Sequence, residues 1–278
     1  MKTTKKELNW LLKEKHDISL VSPKDITVAV RRDIRRLGKG EPLAYVIGWV
    51  NFLGCRIDLS QKPLIPRPET EFWTERAIAH IASSMSHMAY RRKQRADGHS
   101  RNHKPYAISH KNVRCLDIFA GSGCVGIAVL KHILKVRVDF ADKDRRAIAQ
   151  VKINVKLNKL SARRTKVFRS DIFKNVPGRY DYVFANPPYI ATTRKNKVQP
   201  AVLKYEPRGA LFGGKDGLNL IRKFLKEAKS HLRPGGKIYL EFDHSQRAGV
   251  LKIARRNSYR VAVHKDQFSR WRYAILET

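Results

Sequence analysis

Acidic residues are scarce in this sequence, which carries 24 aspartates and glutamates against 58 lysines and arginines, a formal net charge of +34. Such an excess of positive charge favours a polyanionic partner, most simply nucleic acid or a ribonucleoprotein. A solvated basic surface explains the charge equally well, because the basic residues are spread along the whole chain. The charge by itself therefore predicts no more than a weak RNA or ribosome contact.

Cysteine and long apolar runs are scarce as well. Cys55, Cys115 and Cys124 form no Cys-x-x-Cys pair, which argues against a disulfide framework and a structural zinc site, so no metal site is predicted. The longest uncharged apolar stretch, 118–130, is broken by glycines and is too short to span a bilayer. The first ten residues, MKTTKKELNW, contain no secretory hydrophobic segment. We therefore expect a cytoplasmic protein without membrane contact.

The apolar pattern divides the chain into three parts. Residues 1–47 are predicted to form a small helical domain, in which Ser22 and Pro23 begin a second helix that ends near Leu37. Residues 48–67 are predicted to be a β-hairpin connector, since the stretch YVIGWVNFLGCRIDL is rich in β-branched and aromatic residues broken by glycines. Residues 68–278 form the main domain, with a helix over 70–88. A basic, aperiodic insertion at 89–112 is predicted to be a flexible surface loop.

Strand and helix patterns alternate from residue 113 onward. The predicted strands are VRCLDIF, VRVDFAD, KVFRSD, YDYVFAN, KIYLEF, YRVAVHKD and WRYAILET, and a helix over 219–232 precedes the turn RPGG. This alternation predicts an α/β fold, a doubly wound, Rossmann-like and mostly parallel sheet with helices on both faces. Ligands of such sheets bind at the carboxyl ends of the strands, where every motif described next falls.

Three of these motifs indicate a cofactor that contains adenosine. The turn of LDIFAGSGCVGIA has glycines at 121, 123 and 126, which let the backbone approach a ligand in front of a helix N-terminus. Asp142 ends the next strand, where an acid can accept from both ribose hydroxyls. Asp171 could accept from an adenine amino group, and Ile172 could pack on its ring. These residues leave NAD and S-adenosylmethionine as alternatives.

The segment NPPY at 186–189 favours methyl transfer. Pro187 and Pro188 have no backbone N–H, so the tetrapeptide offers acceptors, namely the side-chain carbonyl of Asn186 and the main-chain carbonyl of Pro187. Tyr189 adds a flat aromatic face. Two acceptors and a stacking face suit a planar, conjugated NH₂ group, which positioning and electrostatics can orient toward an electrophilic methyl group.

Together with LDIFAGSGCVGIA, FADKD, RSDIF and FANPPYI, three further stretches carry a family resemblance: GEPLAYVIGWVNFLG, LIPRPETE, and the long segment from YEPRGALFGG to KIYLE. From Gly40 onward the chain resembles the peptide chain release factor glutamine methyltransferases. These belong to the class I S-adenosylmethionine-dependent methyltransferases with an NPPY motif. Their substrate is the side-chain amide nitrogen of the glutamine in the Gly-Gly-Gln motif of release factors.

The resemblance implies roles for individual residues. It assigns catalysis to Asn186, Pro187 and Tyr189, and substrate binding to these three and Pro188. It assigns cofactor binding to Phe119, Ala120, Gly121, Ser122, Gly123, Asp142, Asp171, Ile172 and Asn186. Arg67, Glu69 and Thr70 are implied to help close the site. The chain departs from the family pattern at Phe119 and Asp243, which stand where glycine is usual.

Two other functions stay open at this point. An adenine-amino methyltransferase of DNA or RNA would suit the positive charge, and a non-catalytic RNA-binding protein could use the same fold. The PRPETE and YEPRGALFGG segments favour the glutamine enzyme. A protein substrate is also favoured by acids among the bases of the N-terminal part, namely Glu7, Glu14, Asp17, Asp25, Asp33 and Glu41.

Overall fold

The computed structural model describes residues 4–17, 27–96 and 113–278. The helix start predicted at Ser22 and Pro23 lies outside the described residues, and so does the part of the predicted insertion that spans 97–112. Within the described ranges, no helix combines the length and the apolar character that crossing a bilayer requires.

Helices form the N-terminal part and the connections between strands. In chain order they are α1 (Lys5–His16), α2 (Val28–Gly38), α3 (Leu43–Ile47), α4 (Pro68–Ala96), α5 (Cys124–His132), α6 (Arg145–Leu157), α7 (Pro200–Tyr205), α8 (Asn219–Ala228) and α9 (Arg247–Arg256). Short 3-10 helices lie at Ala162–Arg164, Thr192–Lys197, Arg208–Ala210, Lys229–His231 and His244–Gln246.

The strands form a hairpin and a large sheet. They are β1 (Trp49–Phe52), β2 (Cys55–Asp58), β3 (Val113–Ile118), β4 (Val136–Asp142), β5 (Thr165–Arg169), β6 (Tyr180–Ala185), β7 (Leu232–Glu241), β8 (Arg260–Lys265) and β9 (Trp271–Glu277). The large sheet has the order β5-β4-β3-β6-β7-β9-β8. Strands β5, β4, β3, β6 and β7 pair in parallel, and β9 is antiparallel to both of its neighbours. The predicted α/β fold is confirmed.

Helices cover both faces of this sheet. Neighbouring side chains of β3 point to opposite faces: Cys115 packs in the cluster that contains residues of α4 and α5, and Leu116 packs in the cluster of α8 and α9. Strand β6 is buried along its whole length. Burial on both faces explains why these strands appear in the sequence as continuous apolar runs.

The N-terminal helices have a small core of their own, built on Leu11, Leu37 and Val46. Two of the acids expected on a partner-facing surface are used inside this unit. Asp33 is fully buried, and its carboxylate pairs with Lys15 at 2.7 Å and with Arg36 at 3.2 Å. Glu41 pairs with Arg36 and Lys62. The expectation of a mixed charged surface is therefore wrong for Asp33 and Glu41.

Several predicted boundaries are wrong. Helix α4 continues to Ala96, so residues 89–96 are helical rather than part of a loop, because AYRRKQRA contains good helix formers and no glycine or proline. Helix α8 ends at Ala228, and the predicted turn RPGG lies inside β7, where a shift in the pairing register with β6 accommodates it. The first three residues of the stretch YVIGWVNFLGCRIDL, 45–47, belong to α3 and lie before the predicted connector 48–67.

Candidate active site

The carboxyl ends of β3, β4, β5 and β6 lie along one edge of the sheet because these strands are parallel. A cleft opens at this edge. It is lined by the 61–67 segment, Thr70, Asp117, Phe119, Ala120, Gly121, Ser122, Asp142, Asp171, Ile172, Asn186 and Pro188, among others. The fold therefore brings together most of the residues that the resemblance assigned to cofactor binding.

The glycine turn forms the floor of the cleft between β3 and α5. Gly121 has a φ of +54°, and an added Cβ there would meet only the Phe119 carbonyl, at 3.9 Å. Gly126, inside α5, differs, because its added Cβ would overlap the Phe140 ring and lie 2.9 Å from Val138. The first glycine thus leaves space for a ligand, whereas Gly126 allows helix and sheet to pack closely. A Cβ added at Gly123 would lie 3.1 Å from the Val151 side chain and 3.3 Å from that of Ile127.

Asp142 joins the turn to the neighbouring loop. Its Oδ2 accepts a hydrogen bond from the main-chain N–H of Gly121, and its Oδ1 accepts one from Asp144, both at 2.9 Å. The side chain is half-buried. Burial raises the pKa of the carboxyl, and the two hydrogen bonds oppose this shift. The carboxylate is therefore held rigidly at the mouth of the cleft.

The loop after β5 carries an unusual backbone conformation. Ile172 has a φ of +52°, which is rare for a β-branched residue and is maintained only where the surroundings impose it. Here the Ser170 hydroxyl donates to the Ile172 carbonyl at 2.8 Å and accepts from the Asn175 N–H at 2.9 Å. The loop therefore presents a buried Ile172 and an exposed Asp171 to the cleft.

Asn186 stands at the end of β6 with its amide oriented by a neighbour. Its Nδ2 donates to Thr70 Oγ1 at 3.2 Å. No described residue donates to Asn186 Oδ1 or to the Pro187 carbonyl. The chain that follows is held by main-chain pairing, in which the Ile190 N–H donates to the Leu211 carbonyl at 2.9 Å. The two predicted acceptors are therefore present on a fixed backbone.

A second cavity lies on the other side of Asn186. Its wall includes Pro187, Tyr189, Ile190, Arg194, Asp216, Asp243, His244, Arg270 and Arg272. Leu64, Arg67, Asn186 and Ala210 line both this outer cavity and the cleft. Asn186 thus lies where the cleft and the outer cavity meet.

The segment before α4 is held beside the junction by a buried carboxylate, Glu206. Arg67 pairs with Glu206 at 2.6 Å, and the other oxygen of this buried glutamate accepts the Ile65 N–H. Glu69 lies 4.0 Å from Arg272. These contacts are consistent with the implied role of Arg67 and Glu69 in closing the site, since Arg67 and Arg272 are part of the wall of the outer cavity.

Three groups at the site were missed by the reasoning from sequence. The 61–66 segment lines the cleft. Asp117 is buried in the cleft wall, where burial raises its pKa to about 8 and the Gly126 N–H donates to it at 2.9 Å. Glu241 is buried beneath the Asn-Pro-Pro-Tyr segment. An acid inside an apolar strand was the available signal for both Asp117 and Glu241.

Comparisons with known proteins indicate the class of protein. A family model described as methyltransferase small domain matches residues 106–205. Among solved structures, the hMettl16 catalytic domain in complex with MAT2A 3'UTR hairpin 6 superposes with a TM-score of 0.57 at 17% identity, covering 81% of this chain and 76% of that one. At this identity the likeness concerns the fold alone. Fold, site and family model together define a methyltransferase.

Curated relatives define the family. The release factor glutamine methyltransferase of Thermodesulfovibrio yellowstonii is 32% identical over 230 residues, which cover 82% of this chain and 73% of the relative. That of Rhodopirellula baltica is 32% identical over 240 residues, covering 85% and 73%. The chain belongs to the release factor glutamine methyltransferase family.

Proposed function

We propose that this enzyme transfers the methyl group of S-adenosylmethionine to the side-chain amide nitrogen of the glutamine in the Gly-Gly-Gln loop of a peptide chain release factor. The observation that carries the proposal is the position of Asn186, where the cleft and the outer cavity meet. A methyl donor in the cleft and an acceptor entering from the outer cavity would come together at this residue.

The cleft residues fit S-adenosylmethionine. Gly121 leaves open space in the turn, Asp142 offers a rigid carboxylate for the ribose hydroxyls, and Ile172 with Asp171 forms a wall for the adenine. Phe119, Ala120, Ser122 and Gly123 complete the turn that would hold the methionine end. Bound S-adenosylmethionine would supply an electrophilic methyl group on its sulfonium sulfur.

The Asn-Pro-Pro-Tyr segment prepares the acceptor. Asn186 Oδ1 and the Pro187 carbonyl each accept one hydrogen of the amide NH₂, which turns the nitrogen lone pair toward the methyl carbon. Transfer to the oriented nitrogen would form the C–N bond while the S–C bond breaks, with the electron pair of that bond left on sulfur. The nitrogen then loses a proton to water. Pro188 stiffens the segment, and the Tyr189 ring supports the amide plane.

The proposal also covers the division of labour along the chain. Residues 1–47 would recognise the release factor, 48–67 would connect, and 68–278 would carry out catalysis. Trp10 of α1 is 53% exposed, and an aromatic side chain of this kind is a frequent anchor for a protein partner. The hairpin connector is tied to the catalytic part, since the Asp58 N–H donates to Asn154 Oδ1 at 2.8 Å.

The test is a methylation assay with labelled S-adenosylmethionine, a purified release factor, and mass spectrometry of its Gly-Gly-Gln peptide. We expect one methyl group on the glutamine, none on a release factor in which that glutamine is alanine, and at least about a 100-fold loss with Asn186→Ala, the scale of one preorganised polar contact. Label in DNA or RNA with the release factor unmodified would refute the proposal in favour of an adenine-amino acceptor.

A further inference from the structure

A buried carboxylate lies beneath the Asn-Pro-Pro-Tyr segment and binds three donors. Glu241, at the end of β7, is 1% exposed. Its Oε2 contacts Thr70 Oγ1 and Trp73 Nε1, both at 2.7 Å, and its Oε1 contacts the Tyr189 hydroxyl at 3.0 Å. Thr70 is in turn the acceptor for Asn186 Nδ2. One side chain of the sheet therefore connects α4 with both polar ends of the tetrapeptide.

The direction of each hydrogen bond in this chain follows from the chemistry of Trp73. An indole N–H can only donate, so Glu241 Oε2 accepts from Trp73, and the same oxygen accepts from the Thr70 hydroxyl. The Thr70 hydroxyl, which contacts the same oxygen, must then use its single proton on Glu241. Only its lone pairs remain for Asn186, and a lone pair binds the NH₂ end of the amide rather than the carbonyl end.

We propose that Thr70, anchored by Glu241, is a positioning residue that fixes the orientation of the Asn186 amide and thereby keeps Oδ1 directed to the acceptor nitrogen. This inference rests on the proposed role of Asn186. If the amide rotated by half a turn, its NH₂ would face the NH₂ of the substrate, and two donors would oppose each other. The alignment of the nitrogen lone pair would be lost although every residue of the motif was still in place.

The same anchor defines the role of Tyr189. Its hydroxyl donates to Glu241 Oε1, which leaves the ring rather than the hydroxyl for the substrate. Glu241 therefore supports both the hydrogen-bonding and the stacking part of the motif from below.

The test compares three variants on α4. Thr70→Val keeps the shape of the side chain but removes the acceptor, and Thr70→Ser keeps the acceptor. Thr74→Val is the matched control: Thr74 is as buried, lies one turn along the helix, and donates its hydroxyl at 2.7 Å to the Thr70 carbonyl, outside the chain that reaches Asn186. The readouts are kcat, KM, the Kd of S-adenosylmethionine and the melting temperature. The kinetic constants are measured with the methyl acceptor that the wild-type enzyme uses.

We expect Thr70→Val to lower kcat by about 10- to 100-fold, with the cofactor Kd changed by less than about threefold. Thr70→Ser should restore most of the rate, and Thr74→Val should keep it. In an Asn186→Ala background, Thr70→Val should cause little further loss, because residues that act as a unit are not additive. Equal kcat values for Thr70→Val and Thr74→Val, or full additivity with Asn186→Ala, would overturn the inference. The proposed function is decided by a separate measurement, namely which molecule the wild-type enzyme methylates.

Discussion

Replacing Asp142 with alanine is expected to weaken S-adenosylmethionine binding while leaving methyl transfer largely intact at saturating cofactor. The carboxylate lies at the end of β4, and its two oxygens accept main-chain hydrogen bonds from Gly121 and Asp144. It therefore both orders the turn and offers its remaining lone pairs to the ribose. The reacting groups around Asn186 do not contact it.

The size of the effect follows from the interaction that is lost. Hydrogen bonds to a charged acceptor contribute about 1.5–3 kcal/mol, which corresponds to a Kd increase of about 12- to 140-fold. The stability of the free protein responds to two opposing effects. Asp142→Ala removes two main-chain hydrogen bonds to the carboxylate, and it also removes a charge that burial penalises, as the raised pKa of Asp142 indicates.

Isothermal titration calorimetry with S-adenosylmethionine measures the Kd directly, and initial rates at saturating cofactor measure kcat. Asp144→Asn is the control, because it removes a neighbouring charge yet keeps the side-chain oxygen that accepts the Arg146 N–H at the start of α6. Its Kd should stay within about threefold of wild type, the scale expected for one exposed, screened charge. A Kd for Asp142→Ala within twofold of the wild-type value would refute the assignment of Asp142 to the ribose.

Three further predictions concern packing, pH and docking. Gly126→Ala should lower the free energy of unfolding by about 1–3 kcal/mol, because the new Cβ overlaps the buried ring of Phe140. Gly38→Ala should leave the free energy of unfolding unchanged, because an added Cβ there has no neighbour within 4 Å. Equal melting temperatures for the two variants would contradict this prediction. Burial raises the pKa of Asp117 from 3.8 to about 8, so its stabilising contribution is full below 3.8 and is lost as pH rises through 8. The melting temperature of Asp117→Asn should therefore fall less between pH 3.8 and 8 than that of the wild type. Parallel plots of melting temperature against pH for the two proteins would contradict the raised pKa of Asp117. Trp10→Ala should raise the KM for the release factor about fivefold or more. Leu134→Ala removes an apolar side chain that is 80% exposed and should leave this KM unchanged, and identical KM values for the two variants would refute docking through Trp10.

Much of the fold could be predicted because its signals are local. The buried strands β3, β4 and β6 are short apolar runs bounded by polar residues, and the helices between them have regular spacing. Segment ends were harder to predict. The chain 89–96 is basic enough to resemble a loop, but its helix propensity continues α4 to Ala96.

The sequence by itself determined the chemistry of the Asn-Pro-Pro-Tyr segment, since Pro187 and Pro188 lack an N–H in any fold. The alternation of strands and helices also determined that the motifs would meet, because parallel strands end at one edge. Only the tertiary structure decided how Asn186 is oriented. Thr70 is 116 residues away from Asn186 and 171 residues from Glu241. Contacts over such separations leave no periodic signal in the chain, because they depend on how α4 packs against the sheet.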